Sequence, residues 1–92
     1  MNGYTEFFIE NNRLLIHIEY YGGTARHFVD YALSETDTKT TAELLESNDE
    51  TALIKHLTAR FSIGNAVLDF LRENGINGKI VKQGFEDGAS DV

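Results

Sequence analysis

The chain of 92 residues contains no cysteine. That excludes disulfide bonds and any thiolate metal centre. It contains no proline either, so the rigidity of its loops must come from packing. Cations are scarce: 8 Lys and Arg stand against 15 Asp and Glu, for a formal net charge of −7 and an isoelectric point near 4.7. A surface of that sign repels polyanions, so direct binding to nucleic acid or to an anionic membrane is not expected. No apolar run has the length of a membrane span, and the N-terminus lacks the basic and apolar regions of a signal peptide. The expectation is a cytoplasmic protein without a membrane partner.

What is present is ordinary for a globular domain, with 41% hydrophobic and 25% charged residues. Residues 1–85 read as one domain, and the polar stretch 86–92 reads as a disordered tail. A chain this short buries a modest core, so it relies on close packing or on a partner subunit. A homodimer is therefore one expectation.

The first third alternates. YTEFFIE (4–10) and RLLIHIEYY (13–21) read as strands, joined at Asn11-Asn12, whose residues tolerate the positive φ of a tight hairpin turn. TARHFVDYAL (24–33) reads as a third strand, with Gly22-Gly23 as the second turn. Counting outward from these turns puts Phe7, Ile9, Leu14, Ile16, Ile18, Tyr20, Val29 and Tyr31 on one face, the core face. The other face carries Tyr4, Glu6, Phe8, Leu15, His17, Glu19, Arg26, Phe28 and Asp30. In that register Ile16 faces Val29, Ile18 faces His27, Glu19 meets Arg26, and Glu6 meets His17.

SETDTKTT (34–41) reads as a polar connector, followed by a short helix over 39–46. Ser47 to Glu50 forms a capping box that opens a helix over 48–61. Leu53, Ile54, Leu57 and Phe61 line its apolar stripe. A third helix spans 64–74. It is apolar around most of its middle, and Gly75 ends it in the left-handed conformation. KIVKQ (79–83) reads as a last, edge strand. The expected fold is α+β: a three-stranded antiparallel meander, two or three helices packed on one face, and a short C-terminal edge strand.

Few patterns carry chemistry. Gly22-Gly23 is not followed by a helix N-terminus that would hold a phosphate. His17, Glu19 and His27 are metal-ligating residue types, but the register puts His27 on the opposite face, and a structural zinc needs four ligands. No metal and no cofactor is expected. Glu6 with His17 is the one acid–base pair a small enzyme would use, yet an open sheet face offers no pocket to exclude water, and a non-enzymatic protein is preferred. HLTARFSIGNAVLDFLRENGI, followed by GKIVKQ, resembles the helix-turn-helix and wing of winged-helix regulators. That resemblance implies nucleic-acid binding through residues 55–82. Against it, Ala66, Val67, Leu68, Phe70 and Leu71 occupy most of the second helix, leaving Asn65, Arg72 and Asn74 to read bases.

Two surfaces remain. Seven carboxylates, Asp30, Glu35, Asp37, Glu43, Glu46, Asp49 and Glu50, are offset locally only by Lys39. Such a single-sign cluster suits a protein partner with a basic surface. Tyr4, Phe8, Leu15, Tyr21 and Phe28 mix with charges on the outer sheet face, the composition of a protein interface. The expectation is a small acidic protein-binding module. It would act as an inhibitor occupying a partner's basic or nucleic-acid-binding surface, in the manner of the phosphate-imitating anti-defence proteins of phages.

Overall fold

The computed structural model describes residues 2–22, 25–62 and 65–87. Asn11 and Asn12 both take positive φ, 53° and 63°. Two consecutive left-handed residues form the turn whose twist matches its flanking strands, and Asn reaches that region at little cost. The turn joins β1 (Asn2–Glu10) to β2 (Arg13–Gly22). Ile9 then lies opposite Leu14, Phe7 opposite Ile16 and Thr5 opposite Ile18, as the turn position requires.

β3 (Ala25–Ala32) pairs with β2 in a register two residues away from the expected one. Gly22 belongs to the strand and faces Ala25; Gly23, the other residue of the expected turn, lies outside the described residues. Ile16 faces Tyr31, Ile18 faces Val29, and Tyr20 faces His27. A shift of two preserves every side chain's face. The observed register also sets Asp30 opposite His17, and the Leu33 N–H donates to the Leu14 carbonyl at 2.9 Å, which buries Leu33 beside Leu14.

Three helices follow: α1 (Glu35–Leu44), α2 (Glu50–Arg60) and α3 (Ala66–Glu73). α1 begins inside the stretch read as a connector. Ser34 caps it by accepting from the Asp37 N–H at 3.0 Å. Its buried residues are Thr38 and Thr41, so it has no apolar stripe over its first two turns for periodicity to detect. α2 is capped by Asp49, which accepts from the Ala52 N–H at 2.7 Å, two residues beyond the expected Ser47. Asp49 takes the role because it stands immediately before the first helical residue, where a carboxylate reaches the free N–H groups. The Ser47 hydroxyl instead meets His56 Nδ1 at 2.7 Å. α3 is amphipathic rather than apolar all round: Val67 and Leu71 are buried, while Ala66, Asp69 and Arg72 are exposed.

The last described element is β4 (Lys79–Asp87), longer than expected, which pairs antiparallel with β3. The sheet order is β1-β2-β3-β4. α2 lies against β1 and α1 against β2, so the helices cover one face of the sheet. The core joins Phe7, Leu14, Ile16 and Ile18 from the sheet to Leu53, Leu57, Phe61, Val67, Leu71 and Ile76.

Thr38 ties the two layers. Its hydroxyl oxygen accepts from the buried Leu14 N–H at 2.8 Å and donates to the Ser34 carbonyl at 2.8 Å. Valine at this position keeps the shape but leaves a buried backbone N–H without a partner, a loss of about 1–3 kcal/mol. Thr38→Val is expected to lower stability by that amount in urea unfolding. Thr40→Val, whose hydroxyl bonds only to its own helix, should change it by no more than about 0.5 kcal/mol.

Candidate functional site

Side chains alternate along a strand, so register determines what meets on the face that the helices leave open. Glu6, His17, Asp30 and Lys82 form one row across all four strands. On one side of this row lie Phe8, Leu15 and Ala32, and on the other Tyr4, Glu19, Phe28 and Gly84. An irregularity in β4 beside Asp30 and Tyr31 adds Val81 to the open face.

Glu19 is the unexpected member, because it is only 3% exposed on a face that none of the described helices covers. Its Oε1 meets Arg26 Nε at 2.5 Å, its Oε2 accepts from the Tyr21 hydroxyl at 3.1 Å, and His17 Nε2 lies 3.5 Å away. Arg26 reaches it diagonally, since Glu19 faces Phe28 and Arg26 faces Tyr21. Glu6 stands opposite His17 as expected, but the imidazole's contacts are elsewhere: Nδ1 bonds to Asp30. Asp30 prevails because the β2–β3 register puts it directly beside the ring, where a short carboxylate reaches Nδ1.

Aromatic rings enclose this network. Tyr4 is centred 6.1 Å from His17 and 6.2 Å from Tyr21, and Phe28 is 6.0 Å from His17. Arg26 and Lys82 approach the Phe28 ring at 5.5 and 5.8 Å, within cation–π range. Gly84 makes room for that ring: a Cβ there would stand 2.5 Å from Phe28 Cε1. Desolvation, and then the Glu19 carboxylate that accepts its proton, raise the Tyr21 phenol above its ordinary value of 10.0. Next to the network is a shallow concavity of about 340 Å³ lined by Glu6, Phe8, Leu15, His17, Asp30 and Val81. Phe8 and Val81 are 49% and 59% exposed at its rim.

The acidic segment is divided by the fold. Asp30 belongs to the open sheet face, while the other six carboxylates lie on the helical side. Glu35 and Asp37 occupy the first turn of α1, Asp49 caps α2, and Glu50 is in its first turn. Free N–H groups and the helix dipole favour carboxylates there. Glu35, Asp49 and Glu50 also line a concavity of about 310 Å³ with Asn12 and Lys39.

Glu43 and Glu46 are different. Glu43 is in the last turn of α1, where the dipole disfavours negative charge. Glu46 follows the C-cap at φ 51°, in a Schellman motif: Ser47 N–H donates to the Ala42 carbonyl at 2.8 Å and Glu46 N–H to the Glu43 carbonyl at 3.1 Å. Gly75 fills the same place after α3, at φ 76°. Glutamate there carries a strain that glycine lacks.

The remaining candidates are dispersed. His27 is on the helix side of the sheet, exposed, with its ring edge-on to Phe85 at 4.5 Å. Among the described residues no group of three or more His, Asp or Glu could hold a metal ion. Lys55, Arg60 and Arg72 are on α2 and α3, whereas Lys82 is across the sheet from them. Arg72 is engaged with Asp69 at 3.3 Å. Sequence reasoning missed the burial of Glu19 and the contributions of Val81, Lys82 and Gly84, because no local signal says where a last strand pairs. Compared with models of protein families, with curated proteins and with solved structures, the chain shows no match.

Two outcomes follow from the Glu19 network. Arg26→Met leaves a buried carboxylate without its main cation. Because the guanidinium is 41% exposed, the loss should be roughly 2 kcal/mol, below that for a fully buried pair, and Glu19→Gln in the same chain should recover part of it. In alkaline ultraviolet titration, two phenols, Tyr20 and Tyr21, should ionise above the ordinary tyrosine range, and one of the two should be missing in Tyr21→Phe. The sign is that of a raised folded-state pKa: the stabilisation is complete below pH 10.0, the unfolded value, and is lost as pH rises through the folded value.

Proposed function

We propose that the chain is a protein-binding module that presents its acidic helical side to a basic surface of a partner. The observation that carries this reading is the pair Glu43 and Glu46. The other helical carboxylates stand where they stabilise helix starts, so their presence is accounted for by the fold. Glu43 and Glu46 stand where negative charge and an L side chain lower stability, and both are exposed. Strained positions held against local preference are where function is sought. With Lys39 as the one cation between residues 30 and 50, the segment presents a field of one sign, which accelerates encounter with an opposite patch.

A partner that recognises this surface would recognise phosphates equally well, so occupying a nucleic-acid-binding groove is the inhibitory form of the same reading. No catalytic step is assigned to Glu6 and His17. The His17 imidazole is engaged by two carboxylates.

The test uses short polylysine as the basic probe and duplex DNA as the control. The chain should bind polylysine with an affinity that falls as salt rises, and should not bind DNA. Glu46→Gly should raise the stability by about 1 kcal/mol, from relief of the left-handed strain, yet slow association with polylysine, and Glu43→Gln should also slow it. A stabilised Glu46→Gly chain that associates at the original rate would sink the reading.

A further inference from the structure

The open sheet face is unlike the helical side in one respect that points to its occupant: its charges balance. Among the described side chains the register places Glu6, Glu10, Glu19 and Asp30 there against Arg13, Arg26, Lys79 and Lys82. A chain of net charge −7 repels its own copies over most of its surface, and can approach one closely only through a patch that is locally neutral.

We propose that this face packs against a second copy of the chain, about a two-fold axis lying between the sheets and parallel to the strands. The proposal uses the opposite side of the sheet from the acidic surface and does not depend on that reading. The axis is chosen by the charges. Face-to-face sheets pack with their strands nearly aligned, about 10 Å apart. A two-fold axis along the strands superposes β1 on the partner's β4 and β2 on the partner's β3, at equal height. Glu6 and Lys82 are the two ends of one cross-sheet row. Each Glu6 therefore meets the second copy's Lys82, twice by symmetry. An axis perpendicular to the strands would instead put β1 on β1 and β4 on β4, bringing like charges together.

Shape and area agree with this. In the neighbouring row, Phe8 on β1 comes over Lys79 on the other copy's β4, with Val81 in the irregularity between that row and Lys82, so the most exposed apolar residues of the open face, 49% and 59% exposed, are brought close together. Four strands about 4.8 Å apart, overlapping over eight residues at about 3.3 Å each, present roughly 500 Å². Two such faces bury about 1,000 Å², the lower bound for a specific interface. The Glu19 network contributes rigidity: Tyr4, Tyr21 and Phe28 are already packed around it, so little side-chain freedom remains to be lost on association.

The experiment is sedimentation equilibrium of the whole chain and two charge reversals, Glu6→Lys and Lys82→Glu, at positions exposed in the protomer, with folding verified by circular dichroism. The unaltered chain should form a dimer. Each reversal alone puts like charges opposite each other twice and should weaken association by at least about ten-fold. An equimolar mixture of the two variants should form a heterodimer as tight as the original, because across this axis each introduced charge meets its opposite; across the perpendicular axis the single reversals would change nothing and the mixture would associate more tightly than the original. A folded chain that stays monomeric at the highest concentration reached would overturn the proposal. So would reversals that dimerise unimpaired, or a mixture that recovers nothing. Should either reversal fail to fold, Glu6→Gln and Lys82→Gln serve instead, each expected to weaken the dimer and to remove its salt dependence.

Discussion

Two asparagines with positive φ determine where everything else in this protein goes. Asn11 and Asn12 close a turn that permits one register. That register decides which side chains of β1 and β2 meet the helices and which meet the open face. A slip of one residue would exchange Phe7, Leu14, Ile16 and Ile18 for Glu6, Leu15, His17 and Glu19. The second hairpin is less constrained. Its register differs from a turn at Gly22-Gly23 by two residues, a change the core tolerates because parity is kept. The whole sheet inherits its two-sidedness from the first turn.

The two sides are then built by different physics. On the covered side, Leu14, Ile16, Ile18, Leu57, Val67 and Leu71 are all nearly or fully inaccessible, and apolar burial dominates. The one polar tie there, from Thr38 to the Leu14 N–H, satisfies a group that burial would otherwise strand. On the open side a carboxylate is buried without a roof. Glu19 is shielded by the rings and stems of its own sheet neighbours and held by Arg26 and Tyr21. Such a network stabilises less than an apolar core of equal volume, but it holds the aromatic side chains of the face in one arrangement.

What was legible in the sequence follows the range of each interaction. The Asn11-Asn12 hairpin, the α+β order and the Gly75 helix stop are encoded in neighbouring residues, and all are present. Periodicity starts α1 late because threonines, not leucines, make its buried face, and their hydroxyls bond back to the helix, as Thr41 does to the Asp37 carbonyl. Periodicity is blind to a polar stripe. A turn at Gly22-Gly23 sets Glu19 directly opposite Arg26, whereas in the adopted register the two meet diagonally. The local pattern shows only the first half of β4 and no partner for it, since its pairing with β3 spans more than forty positions and leaves no local trace. The acidic segment is continuous in sequence, yet the sheet separates Asp30 from the rest, and helix starts account for four of the remaining six carboxylates.

Sheet parity gives the molecule two separate surfaces, one aromatic and charge-balanced, the other acidic and helical. Backbone amide spectra of the isotope-labelled chain, recorded on dilution and on addition of short polylysine, distinguish them. Dilution should move the resonances of Glu6, Phe8, Leu15, His17 and Lys82 and leave residues 35–50 in place. Polylysine should do the reverse, moving residues 35–50 while the sheet stays still. If both perturbations move the same set of residues, the chain has one working surface and the two faces do not act separately.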